Sequence, residues 1–525
     1  MKVLVLDGVS EKAIAILREN GIQADVSPTL PLPELVAKIP EYEGVIVRSQ
    51  TKVTAEVIEA GAKLKVIGRA GVGVDNVDVE AATKRGIVVM NAPDGNTIST
   101  AEHTIAMIMA LSRNIPQAHC SLKAGQWDRK SFTGVEVNNK VLGIIGMGRI
   151  GTEVAKRMQA MGMKILAYDP FLAEERAQML GVKLATLDEI YANADYITVH
   201  TPLTPETKNL INAETIAKMK KGVRIINCAR GGILNEDDVA AAIEAGQVAG
   251  VAVDVYPEEP PVNRRLIELD KVIATPHLGA STKEAQVNVA IDVAVEMSKC
   301  LKGEAFKNAV NIPSVRPEVL AVVKPYFSLA EKLGLMITQL CTGRIEKVEI
   351  GYEGEIAEYD VSLLTTMIMK GILRPVLDVE VNMVNAQLLA KQRGIKIAEN
   401  KEATSPDYTN RITVKVYTSK TVHTVAGTLF RKDDERVVEI DGYYFEVVPH
   451  GNLLVAPHED RPGIIGKVGT VLGEAGINIA FMQVGRRDQG GTAIMVMTVD
   501  NPINDATLAK VAAVPGILDA RVVKL

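Results

Sequence analysis

Three residues in the middle of the chain are the types that an alcohol oxidation needs: Arg230 in INCARGGI, Glu259 in DVYPEEP and His277 in TPHLGAST. When a carbon gives up a hydride its hydroxyl proton must also leave, and an imidazole is suited to take it near neutral pH. A carboxylate on the other ring nitrogen fixes the tautomer and stabilises the protonated ring. A guanidinium grips a carboxylate with a paired fork and polarises a developing carbonyl. Together the three predict a 2-hydroxy acid substrate. Singly, each has an ordinary reading: Glu259 as a surface acid, His277 as a satisfied histidine after Pro276, Arg230 as a charge at a helix start. The joint reading rests on their order behind a nucleotide-binding pattern.

That pattern is residues 141–151, VLGIIGMGRIG. A short apolar run leads into Gly146, Gly148 and Gly151, spaced G-x-G-x-x-G, and then into the amphipathic TEVAKRMQAMG. The first glycine allows a tight turn and the second lets backbone approach a pyrophosphate. The third lets strand and helix pack closely while the helix N-terminus faces the anion. Glycines alone would also fit a plain strand-to-helix turn. The next strand, MKILAYD, adds Asp169, eighteen residues past Gly151, where a carboxylate can accept from a ribose. No Arg follows directly, which favours NAD over NADP.

The elements that must position these groups alternate. Residues 1 to about 95 read as strand and helix by turns, from VLVLD through GVIVRS and LKVIGRA to IVVMNAP, a small doubly wound α/β unit. Open parallel sheets bind ligands where their strands end. Arg48 and Ser49 stand at one such end, and the turn from Arg69 to Val72 and Gly73 at another. Amides of that turn can hold a carboxylate, and Arg48 a carboxylate or phosphate; read alone, Arg48 is a solvated charge. Residues 98–113 predict a long helix on which His103 reads as a structural histidine. Trp127, in the polar GQWDRK, reads as a packing residue, with contact to a ligand or a neighbouring subunit as the alternative. After Asp169, the groups Thr201, Cys228 to Arg230, Asp254 and His277 leave the C-terminal ends of successive strands. Arg230, Glu259 and His277 thus have a route to one cleft.

At 525 residues the chain predicts roughly three or four domains. A net charge of −5 without basic blocks makes no case for nucleic acid. The four cysteines show no C-x-x-C spacing, so neither a metal site nor a disulfide framework is expected and a reducing compartment is the simpler reading. MKVLVLDGVS reads as a first strand, not a signal peptide, and no apolar run is long enough to suggest a membrane span. A cytoplasmic protein is expected.

With RAGVGVDNVD, the G-x-G-x-x-G stretch, INCARGGI, DVYPEEP and TPHLGAST all present, residues 1 to about 310 resemble the D-isomer-specific 2-hydroxyacid dehydrogenases. The resemblance is strongest to the branch that oxidises D-3-phosphoglycerate to 3-phosphohydroxypyruvate, the first step of L-serine biosynthesis. It implies Arg230 as the substrate-orienting residue, Glu259 as partner of the histidine and His277 as general acid/base. It implies NAD contacts from Arg149, Ile150, Asp169, Thr201, Cys228, Ala229, Arg230, Asp254 and the turn His277, Leu278, Gly279 and Ala280. Arg48, Ser49, Val72 and Gly73 are the expected substrate contacts, with Arg129 or Lys130 of a neighbouring subunit as a further phosphate partner. Lactate, glyoxylate and hydroxypyruvate reductases share the catalytic set, and corepressors of the same fold retain it too. Glu259 stands where formate dehydrogenases carry Gln.

The expected fold is α/β: a Rossmann NAD domain, residues 98–281, inserted in a flavodoxin-like substrate domain, residues 1–97 plus 282–312. An α+β block at residues 313–448 resembles the intervening domain of the long enzymes of this branch, with His423 as a strand surface residue and a turn at the DDE cluster. Residues 449–525 read β-α-β-β-α-β, the ferredoxin-like order, and HEDRPG followed by GINI resembles an ACT domain. By that resemblance His458, Asp460 and Asn478 are the expected contacts of an L-serine effector, Asp460 replacing the family's Asn. A homo-oligomer, dimer or tetramer, is expected; nucleic acid and membrane are not.

Overall fold

The computed structural model describes residues 1–313, 315–431 and 434–525. Its first sheet holds β1 (Lys2–Val5), β2 (Gln23–Val26), β3 (Gly44–Val47), β4 (Val66–Arg69) and β5 (Val88–Met90), all parallel, in the order β2-β1-β3-β4-β5. All four residues of β3 are buried, as expected for a strand covered on both faces. β2, QADV, escapes a sequence reading because it is short and carries an acid.

The second sheet is also parallel: β6 (Val141–Ile145), β7 (Lys164–Tyr168), β8 (Lys183–Leu184), β9 (Tyr196–Val199), β10 (Val223–Asn227), β11 (Val248–Val253) and β12 (Val272–Ala274), in the order β12-β11-β10-β9-β6-β7-β8. The strand order reverses beside β6, at the crevice between β6 and β9, which is where such sheets bind dinucleotides. The helix Arg149–Ala160 buries Gly151, Val154, Ala155 and Met158, one stripe at helical spacing.

The helix Lys283–Lys302 then returns to the first sheet. Thr282 caps its start by accepting from the Ala285 amide, and Gly303, in the left-handed region, ends it. Its buried Val289, Val293 and Met297 join Val3, Val66 and Met90 in one core. A Cβ at Gly68 would lie 2.4 Å from Val293, so a glycine there lets the helix sit on the strand. The two crossings between the lobes are tied together where Ser99 Oγ meets Thr282 Oγ1 at 2.7 Å.

The third sheet, in the order β14-β13-β15-β16-β17-β18, joins β13 (Ile345–Gly354), β14 (Lys396–Glu402), β15 (Asn410–Thr418), β16 (Val422–Leu429), β17 (Glu435–Ile440) and β18 (Tyr443–Val447). Its core packs on the helices Phe327–Leu340 and Ser362–Leu373. The DDE cluster read as a turn begins at Asp433, which lies outside the described residues. His423 departs from expectation: it is half-buried, with Nδ1 2.8 Å from Asp441 Oδ2. The last sheet is antiparallel, β20-β21-β19-β22, from β19 (Asn452–Glu459), β20 (Ile479–Arg486), β21 (Thr492–Val499) and β22 (Arg521–Lys524). With the helices Ile464–Glu474 and Asp505–Ala512 it completes the ferredoxin-like order.

Asn382 Nδ2 donates to Gly86 O at 2.9 Å, seating the third unit on the first. Gln339 exchanges two hydrogen bonds with the Lys524 backbone, joining third and fourth. Among the described residues no helix is long and apolar enough to cross a membrane.

Candidate active site

His277 leaves the end of β12 with a backbone φ of 54°, in the left-handed region. Its Nδ1 lies 2.8 Å from Glu259 Oε2. The carboxylate can only accept, so Nδ1 carries the proton and Nε2 is left as a lone-pair acceptor. Glu259 is itself oriented by the Tyr256 amide, which donates to Oε1 at 3.2 Å. The pair is partly open to solvent, with side chains 49% and 40% exposed.

Arg230 follows β10 in the turn closed by Asn227, whose Nδ2 donates to Arg230 O and whose Oδ1 accepts from the Ala229 amide. A Cβ at Gly231 would fall 1.9 Å from Tyr256 O, so the Arg230 turn lies hard against the segment that carries Glu259. Arg230 crosses to the other lobe: its Nη2 would lie 2.8 Å from a Cβ on Gly73, and its Nε is 3.9 Å from Asp75. Glu259 and His277 are hydrogen-bonded, the Arg230 turn abuts the segment that carries Glu259, and Arg230 itself reaches the glycine turn of the first lobe.

The first lobe places its expected substrate residues as follows. Arg48 supplies its backbone to the frame, its amide donating to Asp7 Oδ2 and its carbonyl accepting from Asn76 Nδ2. Ser49 is exposed. Val72 O accepts from Asn91 Nδ2, fixing the turn. Sequence reasoning missed Arg69 as a site residue. Its Nε is buried without a partner, and burial pulls the guanidinium below its ordinary value, with Asp75 opposing and Arg230 and Arg48 adding to the effect. A half-buried guanidinium with an unsatisfied Nε at the ligand edge of a sheet is suited to an anion. The available signal was its place at the end of β4, the middle of the sheet's ligand edge.

The nucleotide crevice fits NAD. Nothing would touch a Cβ at Gly148, leaving an open cradle at the helix N-terminus, while one at Gly146 would meet His200 O at 2.6 Å. Thr201 Oγ1 is buried without a partner. Asp169 is aimed by the amides of Met147 and Phe171, each donating at 2.8 Å. Arg149 at the same helix start pairs with Asp94 at 2.5 Å, and Ile150 packs behind it. Cys228 can contribute only backbone: its thiol is buried and pushed up to about 12 by desolvation, with Asp254 adding to that. Asp254 is fully buried and accepts from the amides of Leu278 and Gly279, and Ala280 follows in the same turn.

Trp127 corrects the packing expectation: it is 81% exposed in the loop after the helix Ile115–Lys123, where no described residue covers it. Arg129 and Lys130 are exposed beside it. In the last unit His458 is buried, Asp460 Oδ2 accepts from the Gly490 amide, and Asn478 donates to Asp500; no hydrogen bond among the described residues joins the three. No group of three or more metal-binding side chains occurs among the described residues.

Comparison with known proteins agrees with this anatomy. Residues 105–279 match the model for the NAD binding domain of D-isomer specific 2-hydroxyacid dehydrogenases. Residues 322–441 match the D-3-phosphoglycerate dehydrogenase intervening domain, and residues 458–516 the ACT domain. The chain is 48% identical to D-3-phosphoglycerate dehydrogenase of Synechocystis sp., covering 100% of this chain and 95% of the relative. It is 46% identical to the Bacillus subtilis protein of that name, covering 100% and 99%. Among solved structures, D-lactate dehydrogenase from Escherichia coli superposes with a TM-score of 0.53 at 28% identity, covering 59% of this chain and 100% of that one. D-lactate dehydrogenase from Aquifex aeolicus, complexed with NAD and lactic acid, gives 0.51 at 29%, covering 57% and 96%. A nucleotide crevice, an imidazole–carboxylate pair and a facing guanidinium, on a chain matched end to end by such relatives, place it in the D-3-phosphoglycerate dehydrogenase family of the D-isomer specific 2-hydroxyacid dehydrogenases.

Proposed function

We propose that the chain oxidises D-3-phosphoglycerate to 3-phosphohydroxypyruvate with NAD, the first step of L-serine biosynthesis. The observation that carries the reading is the Glu259–His277 pair beside the Arg230 turn, with Arg230 reaching a glycine turn that is backed by Arg69. Gly146, Gly148, the Arg149–Ala160 helix N-terminus, Asp169 and Thr201 would hold NAD, which when bound supplies the hydride acceptor. Arg230 takes the substrate carboxylate. His277 receives the hydroxyl proton on Nε2, and Glu259 stabilises the imidazolium that results. Closure of the lobes about residues 96–99 and 281–282 excludes water from the exposed pair.

The phosphate falls to Arg69 with Arg48. NADH formation should be much faster with D-3-phosphoglycerate than with D-lactate, D-glycerate or 2-hydroxyglutarate. Arg69→Gln should raise KM for the phosphorylated acid by about 10–100-fold, the loss of one charge-assisted bond, and leave D-glycerate turnover near its starting value. Equal rates on unphosphorylated acids would keep a dehydrogenase and remove the serine assignment.

L-serine is proposed as an effector of the ACT unit. His458 Nδ1 lies 2.7 Å from Glu459 O, so that nitrogen is protonated and Nε2 is a buried acceptor with no donor. A ligand hydroxyl or ammonium would satisfy it. Titration calorimetry of the full chain should register heat with L-serine, and turnover should fall; no heat with unchanged turnover removes this reading. A homo-oligomer, dimer or tetramer, is supported by Ile115, Leu122 and Trp127, which are 53%, 56% and 81% exposed in one stretch. Contact there would cover them and carry Arg129 and Lys130 toward a neighbouring cleft. Light scattering that returns a monomer mass would end it.

A further inference from the structure

The turn that carries His277 is held from behind by Asp254. A buried carboxylate is tolerated only when donors surround it. Here Oδ1 accepts from Thr275 Oγ1 at 2.6 Å and the Leu278 amide at 2.7 Å, and Oδ2 from the Gly279 amide at 2.8 Å. Burial would raise the carboxyl, but His103, Thr275 and the two amides outweigh it and keep Asp254 below the usual carboxylate range. The amides belong to the residues directly after His277, whose left-handed backbone is unfavourable for a residue with a Cβ and persists only where neighbours hold it.

His103 supplies the remaining donor. Its Nε2 lies 3.3 Å from Asp254 Oδ1 and 3.3 Å from Thr275 Oγ1. Thr275 spends its hydroxyl proton on Asp254, and the carboxylate has none to give. The proton between them therefore sits on His103 Nε2, one N–H shared by two acceptors. Ser99, Thr100 and His103 occupy one side of the helix Thr97–Arg113 at spacings of one and four residues. All three are fastened to the same loop, Thr100 donating to Gly279 O and Ser99 meeting Thr282.

We propose that His103 is a positioning residue of the reaction: by donating to Asp254 it fixes the carboxylate that pins the His277 turn, so the imidazole keeps its register with Glu259 and the substrate. The proposal rests on the reading of His277 as the acid/base. A merely structural histidine at this place would affect stability and nothing else.

The test uses the full chain with D-3-phosphoglycerate and NAD. His103→Leu removes the N–H and should lower kcat by about 10–100-fold, as a misplaced catalytic group does. KM and the Kd for NADH should stay within about threefold, the open lone pair of Asp254 Oδ2 being untouched. His103→Gln, with an amide N–H of similar reach, should recover most of kcat. If His103→Leu does not fold, His103→Asn, whose shorter amide cannot reach Asp254, takes its place. The proposal is overturned by wild-type kcat in the variant lacking the donor, by a loss that Gln does not recover, or by a rise in NADH Kd matching the fall in kcat. An active wild type with an inactive His277→Ala and an unaffected His103→Leu strikes this inference alone. A wild type that turns over no D-2-hydroxy acid strikes the proposed function, and this with it.

Discussion

His277→Ala is expected to lower kcat by about 10²–10⁴-fold, the usual worth of a positioned general base, while the Kd for NADH stays within about twofold. The geometry separates the two effects. The imidazole reaches Glu259 by Nδ1, and the nucleotide is expected to lie on glycines, a helix end and Asp169 in another part of the sheet. Alanine is tolerated at the site because the side chain is half exposed and leaves no closed cavity. The left-handed backbone of residue 277 persists through the Asp254 bonds to the amides that follow. Steady-state rates with saturating NAD, set beside NADH fluorescence titrations, check it. A variant keeping near-normal kcat would remove His277 from the acid/base role.

Arg230→Ala is expected to lower kcat/KM by about 30–5,000-fold, the range for truncating one member of a hydrogen-bonded charge pair at 2–5 kcal/mol. Both kcat and KM should change, since a group that binds the carboxylate also polarises the nascent carbonyl. Arg230→Lys should recover only part, because a point charge lacks the paired fork. In either variant Asn227 still holds the Ala229 amide and the Arg230 carbonyl, although the bond from Arg230 Nη1 to Ala229 O is lost with the guanidinium. Full activity of the Lys variant, or a loss confined to the Kd for NADH, would contradict the assignment to the substrate carboxylate.

What could be read from the sequence depended on local signals. Residues 141–151 announce strand, turn and helix because the apolar run, the glycine spacing and the amphipathic segment follow one another directly, and the fold bears this out in β6 and the helix Arg149–Ala160. The order of polar groups at strand ends was equally legible, since a parallel sheet sends them to one edge. Arg69 was not, because its significance is the absence of a partner, which only the surrounding fold can define. His103 was set aside as an ordinary histidine because its partners, Asp254 and Thr275, lie more than 150 residues away. β14, KIAENKE, carries four charged residues in seven and pairs only along one edge, so no apolar alternation marks it. Trp127 misled for the opposite reason: a large aromatic implies burial, and the surface that would bury it is not in this chain's own fold.

The return of the helix Lys283–Lys302 to the first sheet bears on how the chain is made. Val3, Val66 and Met90 share one face with Ala13, Ile14 and Leu17 of the helix Glu11–Glu19, and the cover of that face is complete only when Val293 and Met297 arrive. About 200 residues separate the last strand of that sheet from its lid, and a ribosome adding about 5–20 residues per second needs roughly 10–40 s to supply them. Through that interval the N-terminal sheet is only partly covered on that side while the entire nucleotide unit emerges and folds. The amino-terminal segment of a nascent chain should therefore be the stretch most dependent on a holding chaperone, and the lobe that begins first should be the later of the two to close.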